Sequence, residues 1–144
     1  MKETATVDLS KSAEAAWSFM WDPASSLKLL DAEVAVALPG QEGVGEIQAF
    51  VERVQGVRVG LLHEVIEFDP GHRAVTRSLV GWCPSWGALT IEPLGPNSCR
   101  LTQEFWAEVP AGVPAGTEQQ QRREFRQRLE TMMRRLAEWA VGRL

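Results

Sequence analysis

The chain lacks tyrosine altogether and has only two cysteines and two histidines in 144 residues. Cys83 and Cys99 stand outside any Cys-x-x-Cys or Cys/His cluster, so neither a disulfide framework nor a zinc site is suggested, and two reduced packing thiols are expected. No apolar run approaches the roughly 18 residues of a transmembrane helix, and the opening Met-Lys-Glu-Thr lacks the apolar segment of a signal peptide. The expectation is a cytoplasmic chain with no membrane span. A basic excess is missing too: 15 lysines and arginines against 19 acidic residues leave a formal charge of -4, the wrong sign for a nucleic-acid partner. No phosphate loop, dinucleotide fingerprint or metal-ligand spacing is found, so nothing calls for a cofactor or a metal.

What is present is ordinary in bulk. Hydrophobic residues make up 44% and charged residues 24%, which fits one globular domain over residues 1–144 that buries about 70% of its unfolded surface. The unusual feature is six tryptophans, large apolar surface without phenols, suited either to core packing or to the walls of a cavity.

Alternation over residues 3–9 predicts a strand with Ala5, Val7 and Leu9 on one face. Ser10 and Ser12 offer caps to a short helix carrying Ala16, Trp17, Phe19 and Met20, and Asp22-Pro23 ends it and starts a second, with Leu27, Leu29 and Leu30 on its buried side. Strands near 32–38, 44–54, 57–68, 73–82, 86–94 and 98–109 follow. They are separated by Pro39-Gly40, Gln55-Gly56, Asp69-Pro70-Gly71, Cys83-Pro84-Ser85 and Gly95-Pro96-Asn97, and such short connections predict an antiparallel meander. Thr117 and Gln120 fit a capping box for a last helix over about 118–143, where Phe125, Leu129, Met132, Leu136 and Ala140 form an apolar stripe. Its arginines, Arg122, Arg123, Arg126, Arg128, Arg134 and Arg135, read as a solvated face balanced by Glu118, Glu124, Glu130 and Glu138.

This order, with Trp17 and Trp21-Asp22 in the first helix region, Gly43-Val44-Gly45 opening a strand and Glu64-Val-Ile-Glu-Phe-Asp-Pro70 closing another before Arg73, resembles the Bet v 1-like, START-related SRPBCC superfamily, most closely its polyketide cyclase/dehydrase branch. The resemblance implies an α+β helix-grip fold, β-α-α-β6-α, in which a curved antiparallel sheet wraps a long C-terminal helix around a cavity for a hydrophobic small molecule. Members of that superfamily include aromatase/cyclases, lipid and quinone carriers, hormone receptors and co-chaperone domains.

Strand periodicity then nominates side chains for the cavity. In strand 98–109, Gln103 shares the face of Cys99, Leu101, Phe105 and Ala107, while Arg100, Thr102, Glu104 and Trp106 face out. In strand 57–68, without a bulge, one of His63 and Glu64 faces inward and either is a candidate acid or base. Strand 73–82 turns inward either Thr76, Ser78 and Trp82 or Arg77, the latter a cation able to bind an enolate or carboxylate, as arginines do in some cyclases of the family. Glu46 and Glu52 alternate with Ile47, Ala49 and Val51 and are assigned to the outer face. Trp82 and Trp86, beside a turn, are placed at the lip of the pocket. Trp17, Met132, Leu136 and Trp139 are wall candidates, with Met132 over the cavity and Met133 toward the helix–sheet contact.

The expected candidate site is thus Glu64, His63 and Gln103 for chemistry, and Trp17, Arg77, Ser78, Trp82, Trp86, Phe105, Met132, Leu136 and Trp139 for binding. The expected function is a polyketide cyclase/dehydrase-like protein that guides cyclisation or dehydration of a hydrophobic, partly oxygenated molecule in secondary-metabolite biosynthesis. The alternative is a non-catalytic carrier. The sequence does not choose between monomer and homodimer.

Overall fold

The computed structural model describes residues 1–54 and 56–144. Strand β1 (Lys2–Leu9) leads into helix α1 (Ala13–Trp21), a 3-10 turn (Pro23–Ser25) and the short helix α2 (Ser26–Leu29). Six further strands follow, β2 (Ala32–Ala37), β3 (Ile47–Val54), β4 (Val57–Asp69), β5 (Arg73–Ser78), β6 (Ser85–Gly95) and β7 (Ser98–Ala107), and then helix α3 (Ala115–Ala140). The strands form one antiparallel sheet in the order β1-β7-β6-β5-β4-β3-β2, so the meander is closed on one side by β1 lying against β7. This is the helix-grip arrangement expected from the order of elements.

Local chemistry explains the boundaries. The Ser12 hydroxyl accepts the Ala15 N–H at 3.1 Å and caps α1. Asp22 stops that helix and its carboxylate accepts the Ala24 N–H at 3.0 Å, with Pro23 in the first position of the turn that follows. In α2 Leu29 is buried, but Leu27 is exposed. Helix α3 begins at Ala115 behind Pro114, without a side-chain cap, so Thr117 lies inside the first turn and the expected capping box is not used.

Two strands are shorter than their periodicity suggests. Gly43 and Gly45 have φ of +86° and +94°, and the Gly45 N–H donates to the Val65 carbonyl at 2.8 Å, so β3 begins only at Ile47. Strand β5 ends at Ser78. Beyond it the backbone bends through residues 79–84, with Gly81 at φ +127°. Of the expected Gln55-Gly56 turn, Gln55 lies outside the described residues, and Gly56 has φ +78°.

The packed core occupies one end of the sheet. Leu9, Ile91, Cys99 and Leu101 of β1, β6 and β7 meet Ala16 of α1, Leu29 of α2 and Leu136 of α3 there. Helix α3, about 39 Å long for its 26 residues at about 1.5 Å per residue, rests on β1 and α2. Among the described residues no helix is long and apolar enough to cross a membrane.

The glycines before β3 supply a test of this account. A Cβ on Gly43 would meet the Phe68 ring at 3.0 Å at a positive φ, whereas a Cβ on Gly60 in β4 would meet nothing within 4 Å. Gly43→Ala is expected to cost about 1–3 kcal/mol in urea unfolding, and Gly60→Ala to be neutral or to stabilise by up to about 1 kcal/mol. Equal effects would contradict the strand boundary.

Candidate functional site

Away from the packed core, the concave side of β3 to β7 and the middle of α3 enclose a cavity of about 680 Å³. Its apolar walls come from Phe50 of β3, Leu61 of β4, Leu89 of β6, Phe105 of β7, and Phe125 and Met132 of α3. The bent segment after β5 runs along its rim, where the Trp82 indole N–H donates to the Gln121 Oε1 of α3 at 3.2 Å. Trp82 is 49% exposed, as a lip residue would be.

Strand alternation accounts for most of the lining. Ala74, Thr76 and Ser78 of β5 face inward. Arg77 faces outward and donates to Glu64 at 3.1 Å, an exposed ion pair on the convex side. His63 is therefore the inward member of the His63-Glu64 pair, and neither Glu64 nor Arg77 reaches the cavity. A bulge between Val65 and Glu67 shifts the pairing of β4 with β5, so His63 and Phe68 share a face although they are five positions apart. In β7 the expected set holds: Gln103 is buried on the inner face, while Arg100 pairs with Asp8 and Glu104 with Lys2 on the other.

Three wall candidates sit elsewhere. Trp17 stacks on Trp21 at 5.3 Å and packs against Phe68, and it is Trp21 that lines the cavity. Leu136 is fully buried in the packed core, one helical turn beyond Met132. Trp139 stacks on Phe19 at 4.1 Å beside α1. Trp86 borders the cavity, but it shares a register row with Arg77 and Trp106 and stacks on Trp106 at 6.1 Å, which places its ring on the convex side. Ser78, Trp82, Phe105 and Met132 line the cavity.

The structure places two charged residues opposite to the face expected of them. Glu52, expected on the outer face, is 3% exposed and points inward with Gln48 and Phe50. Arg128, expected in solvent, reaches across from α3: its Nη2 donates to Glu52 Oε1 at 2.7 Å, its Nη1 to the other carboxylate oxygen, and its guanidinium lies 5.6 Å from the centre of the Phe105 ring. Arg122 and Arg126 likewise turn to Glu3 on β1, and Arg135 to Asp31. A signal for Arg128 existed, since it lies three residues after Phe125 and four before Met132, on the apolar stripe itself. For Glu52 there was none, because its face reads as the polar one.

The polar groups of the cavity differ in availability. Gln103 forms no hydrogen bond with another described residue, so its amide is free to meet a ligand. His63 packs against the Phe50 ring at 5.3 Å. Burial lowers its pKa from 6.5 to about 4, the nearby Arg128 charge adding to the effect and Glu52 opposing it. At neutral pH it is an uncharged imidazole, with one ring nitrogen free to accept a proton as a weak base and the other carrying an N–H that can donate a hydrogen bond. Cys83 also touches the cavity, and burial pushes its thiol up, away from a nucleophilic thiolate. Among the described residues no three His, Cys, Asp or Glu side chains gather into a metal-binding group.

No family model matches this sequence, and no curated protein does. Solved structures do match the fold. A START superfamily protein from Mycobacterium smegmatis superposes with a TM-score of 0.74 at 19% identity, over 96% of this chain and 98% of that one. The Zhui aromatase/cyclase from Streptomyces sp. R1128 gives a TM-score of 0.75 at 18% identity, over 99% and 94%. Norcoclaurine synthase from Thalictrum flavum, in complex with dopamine and hydroxybenzaldehyde, gives 0.71 at 16% identity, over 100% and 88%. At such identities what is shared is architecture: this chain has the helix-grip fold of the START superfamily.

The His63 environment sets a pH dependence. Its unfolded form takes up a proton below about pH 6.5 and the folded form only below about 4, so stability present above 6.5 is lost as the pH falls through that window. The loss is at most about 3 kcal/mol. His63→Gln should remove it, and urea unfolding at several pH values from about 7 to about 4 would check this; parallel curves for variant and wild type would contradict a buried neutral imidazole.

Proposed function

We propose that this protein binds a hydrophobic, partly oxygenated small molecule in the cavity and guides its cyclisation or dehydration, in the manner of a polyketide cyclase/dehydrase. The observation that carries the reading is the convergence of Gln103, His63 and Arg128 on one cavity of about 680 Å³ with otherwise largely apolar walls. The shared fold of the Zhui aromatase/cyclase and of norcoclaurine synthase supports it.

The chemistry asked of such a site is modest. Holding a flexible polyketone in one folded conformer brings an enolisable carbon against a distant carbonyl and removes most of the entropy cost of ring closure. Neutral His63 would accept the proton lost from that carbon. The carbonyl oxygen gains negative charge as the new carbon–carbon bond forms, and the guanidinium N–H groups of Arg128 not taken by Glu52 would stabilise it, with Gln103 fixing its direction. The proton taken up by His63 would then pass to that oxygen, and departure of the resulting hydroxyl together with a second proton from the adjacent carbon would release water and complete a dehydration.

One observation favours a second reading, a non-catalytic carrier: Glu64 is on the convex side, paired to Arg77, and so does not serve as an acid beside His63. Turnover separates the two. With a synthetic poly-β-ketone thioester followed by liquid chromatography and mass spectrometry, the cyclase reading expects a single cyclised product, slowed about 100-fold by Arg128→Met and about 10-fold or more by His63→Gln. A substrate bound and recovered unchanged would establish the carrier, and the same product profile in both variants would remove these residues from the chemistry.

A further inference from the structure

The charged groups of the cavity form a pattern that the cyclisation reading does not require. Deep in it, Glu52, with a side chain 4% exposed, holds Arg128 with both carboxylate oxygens. Of the other ionisable groups that border the cavity, Arg53 donates to Glu33 at 2.7 Å, Asp31 accepts from Arg135 at 3.3 Å, and Glu124 accepts from Gln120 at 3.0 Å. His63 and Cys83, the remaining ones, are uncharged at neutral pH. Among the described residues, both cations that border the cavity, Arg53 and Arg128, are thus already paired with a carboxylate of the protein, and the one beside Phe105 and His63 is Arg128.

We infer that Glu52 sets the charge of the ligand: by cancelling Arg128 inside the cavity, it restricts the site to uncharged, hydroxyl- or carbonyl-bearing aromatic molecules and excludes carboxylates of the same shape. A ligand carboxylate would lose its hydration and find the guanidinium fork already occupied, with the Glu52 carboxylate behind it and Glu124 nearby. A neutral carbonyl or hydroxyl carries no such desolvation cost. It can accept from the Gln103 amide or from the remaining Arg128 N–H groups, and its ring can lie against Phe50 and Phe105. Were the purpose of Arg128 to hold a ligand carboxylate with its fork, a buried carboxylate already closing that fork would defeat it.

This inference rests on the reading of the cavity as a ligand site, and the test separates the two. Isothermal titration calorimetry of the full chain at about pH 7.5 would compare three probes of one shape: 2-naphthol, 2-naphthoate and 2-naphthylmethylammonium. The expected result is that 2-naphthol binds wild-type protein at least about tenfold more tightly than either charged probe. Glu52→Gln, which leaves the arginine uncompensated, should improve 2-naphthoate binding at least about tenfold, and Glu52→Gln/Arg128→Gln, which restores neutrality, should return the preference to 2-naphthol. The wild-type comparison and the double variant decide the matter even where the single variant folds poorly. Naphthoate binding to wild type as tightly as naphthol, or an equal gain of naphthoate binding in the single and double variants, would overturn the assignment to Glu52 while leaving the cavity reading intact. Failure of all three probes to bind would remove the cavity reading and this inference with it.

Discussion

The Glu52–Arg128 ion pair is the constraint around which the concave side is organised. It joins strand β3 to helix α3 across a space that neither backbone fills, with the carboxylate almost wholly buried. A pair of this kind is weak evidence for net stability, because both ions give up water to form it, but removal of one partner leaves a buried charge and typically costs about 3–5 kcal/mol. It therefore fixes a distance. The helix, seated on β1 and α2, is tied to the far part of the sheet by a strut whose length leaves a hollow instead of a core.

The two ends of the molecule divide the interior between them. At one end Ile91, Leu101 and Leu136 are completely buried and the sheet, α1 and α3 pack as an ordinary core. At the other, small inward residues such as Ala74, Thr76 and Gly87 take up little room, and the cavity remains. The tryptophans divide similarly. Trp17 and Trp139 are stacking partners beside α1, Trp106 and Trp86 stack on the convex side, and Trp21 and Trp82 face the hollow. The absence of tyrosine leaves the polar contacts of that hollow to amides, hydroxyls of Thr and Ser, one imidazole and charged groups that are paired with one another.

How far this was legible in the sequence depends on what lies against each strand. In β7, alternation placed Gln103 and Phe105 correctly, because most of that strand packs on the core and apolar residues mark its inner face. In β3 the same rule fails. Its inner face meets a cavity and carries Gln48, Phe50 and Glu52, while Ile47, Ala49 and Val51 lie on the convex side with the exposed Val34 and Val36. Apolar residues mark the inside only where the inside is solid. In β4 the bulge at Val65 breaks the period of two, so no strict alternation joins His63 to Phe68. The helix stripe was readable, but the length of arginine was not: its stem lies along apolar surface while its head reaches a partner 76 positions away in sequence. Wherever a site is built from long-range charge pairing, single-chain periodicity names the wall and misses the polar floor.

The central claim is that a ligand enters between α3 and the concave sheet and nowhere else. The six indole N–H groups report on it directly, because they sit in different places relative to the hollow. In two-dimensional proton–nitrogen spectra titrated with 2-naphthol, the Trp21 and Trp82 signals should move together and saturate, Trp82 most because its N–H bonds Gln121 at the lip. Those of Trp106 and Trp139, on the convex side and beside α1, should stay in place. Shifts confined to Trp106 or Trp139 would locate binding outside the cavity and contradict the account.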